Sequence, residues 1–144
     1  MKVLQKASKQ QKFQNKTVTI FNRSEVVGEP LAYMIANDGA KVFSFDLNDT
    51  LEITKNKRVQ TNISRKDALA QSDIVVSGVP NKKFKAIESS ELRSDCICLN
   101  FSELKNFTQE VEETASIYIP RVGAVTVAML LRNTLRLYKN FQEA

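Results

Sequence analysis

The sequence predicts an α/β fold: a doubly wound, mainly parallel sheet with helices on both faces and a long C-terminal helix. Three observations carry this. Five short apolar runs, at 17–22 (TVTIFN), 41–46 (KVFSFD), 73–77 (DIVVS), 95–100 (DCICLN) and 116–119 (SIYI), read as strands that alternate with helical patterns. The near-continuous IVV and CICL runs suit strands buried on both faces of a parallel sheet. The four glycines, Gly28, Gly39, Gly78 and Gly123, all fall at the ends of elements, where the backbone must turn or be approached closely.

Taken in order, residues 1–13 have a helical pattern, and 17–22 form the first strand. Residues 26–37 form a helix, with Pro30 in its first turn and Gly39 beyond its end. The second strand, 41–46, closes on Asp46. Residues 48–63 are polar and match neither period. Ser64 is placed to cap a short helix through Ala70. The third strand runs into Gly78-Val79-Pro80, and the fourth into Asn100-Phe101. Residues 107–113 are helical, the fifth strand is 116–119, and 125–141 form the long helix.

A chain of 144 residues with 42% hydrophobic content is sized for one domain with its own core. No apolar run is long enough to span a bilayer, so no membrane role is expected. The net charge of +5 is local. The first sixteen residues hold five lysines and no acid, which leaves the rest neutral. Those lysines (Lys2, Lys6, Lys9, Lys12, Lys16) step by four, three, three and four, which is one solvated helix face. The one aromatic among them, Phe13, falls elsewhere on that helix, so no row of base-stacking platforms accompanies the lysines and no nucleic-acid partner is expected.

The chain has no histidine, which excludes Ser-His and Cys-His nucleophilic chemistry within it. Cys96 and Cys98 lie on one face of a strand, too strained for an ordinary disulfide, and read as reduced core thiols of a cytoplasmic protein. With two cysteines and no histidine, no metal site is expected.

In such a sheet, ligands bind at the carboxyl ends of the strands. The residues there are Asn22-Arg23-Ser24, Asp46-Leu47, Gly78-Val79-Pro80, Asn100-Phe101 and 120–123. The first turn, between a strand and a helix, has the layout of a dinucleotide-binding βαβ unit but only one glycine, Gly28. Ser24 offers a hydroxyl and Arg23 a cation at the mouth of the helix, where a pyrophosphate is favoured. Gly28 stands where a side chain would jam the helix. Asp46, 22 residues after Ser24, has the spacing of the acid that bonds an adenosine ribose and repels a 2′-phosphate, which points to NAD. The plainer alternatives are a capped surface turn for Arg23 and Ser24, and a strand terminator for Asp46.

These residues also carry a resemblance. Asn22-Arg23-Ser24-Glu25-Val26-Val27-Gly28-Glu29-Pro30-Leu31 resembles the G-R-S-x-x-V-G-x-P-x segment of methylenetetrahydrofolate dehydrogenases. Gly123-Ala124-Val125-Thr126-Val127-Ala128-Met129-Leu130 resembles that family's G-P-x-T-x-A-M-L signature. The N-R-S turn with an acid after the second strand is most similar to the fungal NAD-dependent, monofunctional branch. The likeness runs from about Thr17 to Tyr138.

The resemblance implies a Rossmann-like domain and an oxidoreductase of one-carbon metabolism that passes hydride from 5,10-methylenetetrahydrofolate to NAD. It implies that Arg23 and Ser24 contact the phosphates, that Gly28 and Asp46-Leu47 border the cofactor with Asp46 on the ribose, and that Gly78, Val79 and Pro80 line the cleft. Asn100 would lie near the nicotinamide, and Pro120, Val122, Gly123 and Thr126 beside the folate.

Two departures qualify it. The family's P-G-G-V-G-P loop is here Ile119-Pro120-Arg121-Val122-Gly123-Ala124. The Y-x-x-x-K pair of its catalytic domain has no counterpart, since Tyr33, Tyr118 and Tyr138 are followed four residues later by Asn37, Val122 and Gln142. The expected organisation is therefore a helical lead-in at 1–16, left from a linker to a catalytic domain outside this chain, and an NAD-binding domain at 17–144. The C-terminal helix carries two apolar stripes, Ala128-Leu131-Leu135-Tyr138 and Val127-Leu130-Leu137-Phe141. One suffices to pack on the sheet, so the second is expected to meet that catalytic domain or a homodimer partner. A free-standing NAD-binding module without turnover, and the cofactor domain of another two-domain dehydrogenase, remain as alternatives.

Overall fold

A computed structural model describes residues 12–142. The elements in order are β1 (Thr17–Phe21), α1 (Gly28–Asn37), β2 (Lys41–Phe45), β3 (Thr50–Thr54), β4 (Lys57–Gln60), α2 (Arg65–Ala70), β5 (Ile74–Ser77), a 3-10 turn (Ser89–Glu91), β6 (Ile97–Asn100), α3 (Gln109–Thr114), β7 (Ile117–Ile119) and α4 (Gly123–Gln142). They form one seven-stranded sheet in the order β4-β3-β2-β1-β5-β6-β7. The five strands expected from the sequence are the parallel ones. The helix expected over 1–13 lies outside the described residues up to residue 11, and 12–15 form a turn.

The ambiguous 48–63 segment is a hairpin that extends the sheet antiparallel beyond β2. Its first strand does alternate, with Leu51 and Ile53 inward between half-buried polar neighbours. β4 offers only Val59, and its lysine and arginine suit an edge that must not pair with other chains.

Two cores lie on opposite faces of the sheet. On one, Ala32, Ile35 and Ala36 of α1 pack against Val18, Ile20, Val42, Leu51, Ile53 and Val76. The spacing of the buried α1 residues, with Gly28 one turn earlier, is that of a single helical stripe. On the other face, Leu69 of α2 and Val111 of α3 pack against Phe21, Val75, Cys96 and Cys98. A fully buried Ile20 or Ile53 contributes about 1.5–3 kcal/mol by leaving water. Helices thus cover both faces, as expected.

Helix ends follow their local chemistry. Ser64 caps α2 by accepting from the Asp67 N–H. Gly39, at φ 103°, takes the left-handed conformation after α1 that a side chain would resist. The helix expected from 26 begins at Gly28, and the one expected from 107 begins at Gln109.

One expectation is corrected. α4 does not lay a stripe on the sheet: its residues from Gly123 to Phe141 are all exposed, Leu131 by 63% and Leu135 by 61%. Among the described residues it packs broadly on no other element. β7 is the sheet's outer strand, and the chain leaves it through Pro120 into this exposed helix. No helix among the described residues is long and apolar enough to cross a membrane, and no cluster of residues there could hold a metal ion.

Candidate functional site

β1, β2 and β5 run side by side, so the segments following Phe21, Phe45 and Ser77 converge at one end of the sheet. A cleft of about 270 Å³ opens there, lined by Phe21, Asn22, Phe45, Asp46, Leu47, Val79, Pro80, Asn81 and Phe84. A wider, shallower depression of about 560 Å³ lies at the amino ends, beside Lys16, Gly39 and Lys55. The carboxyl ends are where parallel sheets take ligands, and the smaller cleft is the candidate site.

Its walls are aromatic. Phe21 and Phe45 stack with centroids 4.9 Å apart, and Phe84 meets Phe21 edge-on at 5.6 Å. The Arg65 guanidinium lies 5.7 Å from the Phe21 ring and 5.2 Å from the Phe84 ring. Arg65 also donates to the carbonyls of Lys85 and Ala86 and makes a bidentate pair with Glu91, at 3.1 and 3.0 Å. This fixes the loop that carries Phe84. Burial alone would raise the Glu91 carboxyl, but the Glu88 backbone N–H and Arg65 together hold it below its usual value.

The turn after β1 accounts for its lack of glycines. Asn22 takes φ 81°, a conformation asparagine tolerates far better than most side chains. Its Nδ2 donates to the Gly78 carbonyl at 2.7 Å and ties the β1 and β5 ends together. Gly28 is needed for close approach, because a Cβ there would stand 1.8 Å from the Asn22 carbonyl oxygen. The sequence placed that clash between helix and strand, and the structure places it between helix and turn.

Ser24 Oγ accepts the N–H groups of Val27 and Gly28, at 3.2 and 3.3 Å. Its oxygen serves as a local cap, while its own O–H remains able to donate.

Arg23 departs from expectation. Its side chain is 9% exposed and turned beneath the loop after β2. Nε donates to Ser44 Oγ at 3.0 Å, one terminal nitrogen to Asp49 Oδ1 at 2.6 Å, and the other to the Ser44 carbonyl at 2.6 Å. A guanidinium held this way is not presented to a phosphate in the cleft.

Asp46 directly follows β2 and is exposed at the cleft rim, with Oδ1 accepting the Leu47 N–H. It has no ion-pair partner among the described residues. Leu47 beside it is 89% exposed. Of the residues expected at the cofactor, the cleft brings Asp46, Leu47, Val79 and Pro80 together. Gly78 sits behind them, where a Cβ would strike the Phe101 ring at 1.9 Å. Asn100 is buried and committed to its own loop, donating to the Leu104 carbonyl and accepting the Ser102 N–H. Pro120, Val122, Gly123 and Thr126 line no part of the cleft. Thr126 Oγ1 donates back to the carbonyl of Val122, the residue before α4.

Asn106 was missed from the sequence. It is buried, accepts from Ser77 Oγ and the Val79 N–H at 2.8 Å each, and donates to the Val79 carbonyl at 3.1 Å. It therefore holds the segment that forms one wall of the cleft. A lone asparagine in a polar loop gives no such signal. Phe21 and Phe45 were legible only as strand residues, and Phe84, in the loop after β5, gave no signal.

Comparisons with known proteins follow the same outline. The family model described as tetrahydrofolate dehydrogenase/cyclohydrolase, NAD(P)-binding domain, matches residues 1–142. The methylenetetrahydrofolate dehydrogenase (NAD(+)) of Saccharomyces cerevisiae is 39% identical over 139 residues, covering 88% of this chain and 43% of that protein. The protein of the same name from Dictyostelium discoideum is 44% identical over 131 residues, covering 87% of this chain and 41% of its own length. The solved structure of the Saccharomyces cerevisiae NAD-dependent 5,10-methylenetetrahydrofolate dehydrogenase superposes with a TM-score of 0.79 at 40% identity, over 91% of this chain and 45% of that one. The chain thus spans less than half the length of the relatives it matches.

Proposed function

The chain belongs to the tetrahydrofolate dehydrogenase/cyclohydrolase NAD(P)-binding domain family, and on that premise we propose that it holds NAD for oxidation of 5,10-methylenetetrahydrofolate in one-carbon metabolism. The observation that carries this reading is the exposed Asp46 carboxylate at the rim of an apolar, aromatic cleft beyond the carboxyl ends of β1, β2 and β5. Asp46 accepts hydrogen bonds from an adenosine ribose and repels a 2′-phosphate, which selects NAD over NADP. The stacked phenylalanines and Pro80 give flat apolar surface to the adenosine end. Ser24, whose oxygen already accepts the Val27 and Gly28 N–H groups, donates its O–H to a pyrophosphate at the positive end of α1. Bound NAD supplies the hydride acceptor.

Folate binds between this domain and a second one that carries the acid–base groups, with 120–126 on this side. Alignment of the two reacting carbons can supply about 7–11 kcal/mol of the barrier, so the second wall is essential to turnover. The buried, free thiols Cys96 and Cys98 suit the reducing cytoplasm. The Cys98–Cys96 hydrogen bond at 4.0 Å, and after it burial, raise the Cys98 thiol, while the same bond lowers Cys96.

Calorimetric titration of the purified chain with NAD and NADP tests the reading. NAD is expected to bind more tightly, and Asp46→Ser to weaken NAD by about 1.5–3 kcal/mol while narrowing the difference from NADP. Equal affinity for the two in the unmutated chain would remove Asp46 from the ribose. At saturating NAD and 5,10-methylenetetrahydrofolate the chain alone is expected to show negligible turnover. Robust turnover would place the catalytic groups within these 144 residues.

A further inference from the structure

The turn between β2 and β3 carries two carboxylates. Asp46 faces the cleft. Asp49, three residues on, faces Arg23 from across the turn, and the Asp46 N–H closes the loop on the Asp49 carbonyl at 3.0 Å. Arg23 follows Asn22 at the end of β1, the parallel neighbour of β2, with Phe21 in register with Phe45. The only long cation of the β1–α1 turn therefore stands beside the place where the ribose acid projects. An arginine in that neighbourhood is what a 2′-phosphate requires, because its fork can grip the phosphate with two parallel N–H bonds.

Here the fork is occupied. Four of the five guanidinium N–H groups are used: one on Ser44 Oγ, one on Asp49 Oδ1, and two on the Ser44 and Asp49 carbonyls at 2.6 and 3.4 Å. Ser44 is fully buried, so withdrawing Arg23 would orphan a buried hydroxyl as well as separate an ion pair.

We propose that Asp49 is a second determinant of cofactor choice: it holds the Arg23 guanidinium under the β2–β3 turn and so denies a 2′-phosphate its cation. This rests on the dinucleotide reading above. Asp46 excludes NADP by repulsion at the ribose, and Asp49 excludes it by keeping the neighbouring cation engaged. The two act on the same phosphate through different residues, so their effects are separable.

The test is the ratio of NADP to NAD dissociation constants, measured by calorimetry on the unmutated chain and on Asp49→Asn, with Asp49→Ser as a second form should the amide destabilise the turn. A structural disturbance weakens both dinucleotides together, whereas release of Arg23 favours NADP alone. The expected result is a ratio lowered about tenfold in Asp49→Asn, retained at the unmutated value in Asp49→Glu, and no longer lowered when Arg23→Ala is added to Asp49→Asn. A ratio that falls less than threefold in the cooperatively melting Asp49 variant, or falls equally without Arg23, overturns the proposal. If the unmutated chain prefers NAD and the ratio still does not move, only the role of Asp49 is lost. If the unmutated chain binds neither dinucleotide, the cofactor reading fails and this inference falls with it.

Discussion

Asn22 donates a 2.7 Å hydrogen bond from Nδ2 to the carbonyl oxygen of Gly78, across the ends of two parallel strands, while its own backbone sits at φ 81°. One residue thus does two things that the more familiar glycine-rich turn leaves to separate positions. It supplies the left-handed conformation, and it anchors the turn to the opposite wall of the cleft.

Replacing Asn22 separates the two contributions. Asn22→Gly keeps the conformation and loses the bond, at a cost of about 1 kcal/mol. Asn22→Ala loses the bond and adds about 1–2 kcal/mol of backbone strain. Urea denaturation is expected to rank the unmutated chain above the glycine variant and that above the alanine variant. Equal stability of the two variants would show that the left-handed backbone carries no cost there.

Gly28→Ala is expected to destabilise the chain by about 1–3 kcal/mol through overpacking, because the added methyl must displace the Asn22 carbonyl. The displaced turn should also weaken NAD. Gly123→Ala is the control: a Cβ there meets nothing within 4 Å, and its melting temperature should match or exceed that of the unmutated chain. A Gly28→Ala variant as stable as the control would mean the turn yields at no cost.

Glu91 gives a pH prediction. Its carboxyl is held below the ordinary value in the folded chain, so the unfolded state binds the proton more readily. The stability it contributes is fully present above the ordinary glutamate range, near pH 4.5, and is lost as pH falls through the lowered folded value. Glu91→Gln should therefore reduce stability near neutrality by about 1.5–3 kcal/mol, with the deficit shrinking below pH 4.5. Thermal melts of both proteins from pH 7 to pH 3 measure this. A deficit unchanged at pH 3 would show that the charge on Glu91 contributes nothing.

The exposed α4 predicts self-association of the isolated chain. Leu131 and Leu135 lie on one stripe and are both well exposed. Sedimentation velocity is expected to show a weight-average mass that rises with concentration. The paired substitution Leu131→Glu and Leu135→Glu should flatten that rise without lowering the melting temperature, since neither side chain supports the core. A monomer at every concentration would show that the stripe is harmless in water.

The amino-acid sequence by itself determined the five parallel strands, the Ser64 cap, the need for glycine at 28 and the position of Asp46 just past β2. Each depends on neighbours within a few residues: an apolar period, a capping side chain, a turn with one tolerated backbone conformation. The tertiary structure alone decided what the polar side chains of the site bond to. Arg23 meets Asp49, 26 residues on, and Asn106 meets Ser77 and Val79, almost thirty residues back. Nothing near Arg23 in the chain distinguishes a phosphate-facing guanidinium from one turned under β2. That choice depends on which strand lies alongside and which acid the β2–β3 hairpin presents. The hairpin itself escaped the sequence because β4 is an edge strand with one half-buried side chain, and its pairing is fixed by the backbone of β3 rather than by an apolar pattern of its own. The exposure of α4 is of the same kind: its stripes were readable, but only the assembled sheet shows that neither rests on this domain.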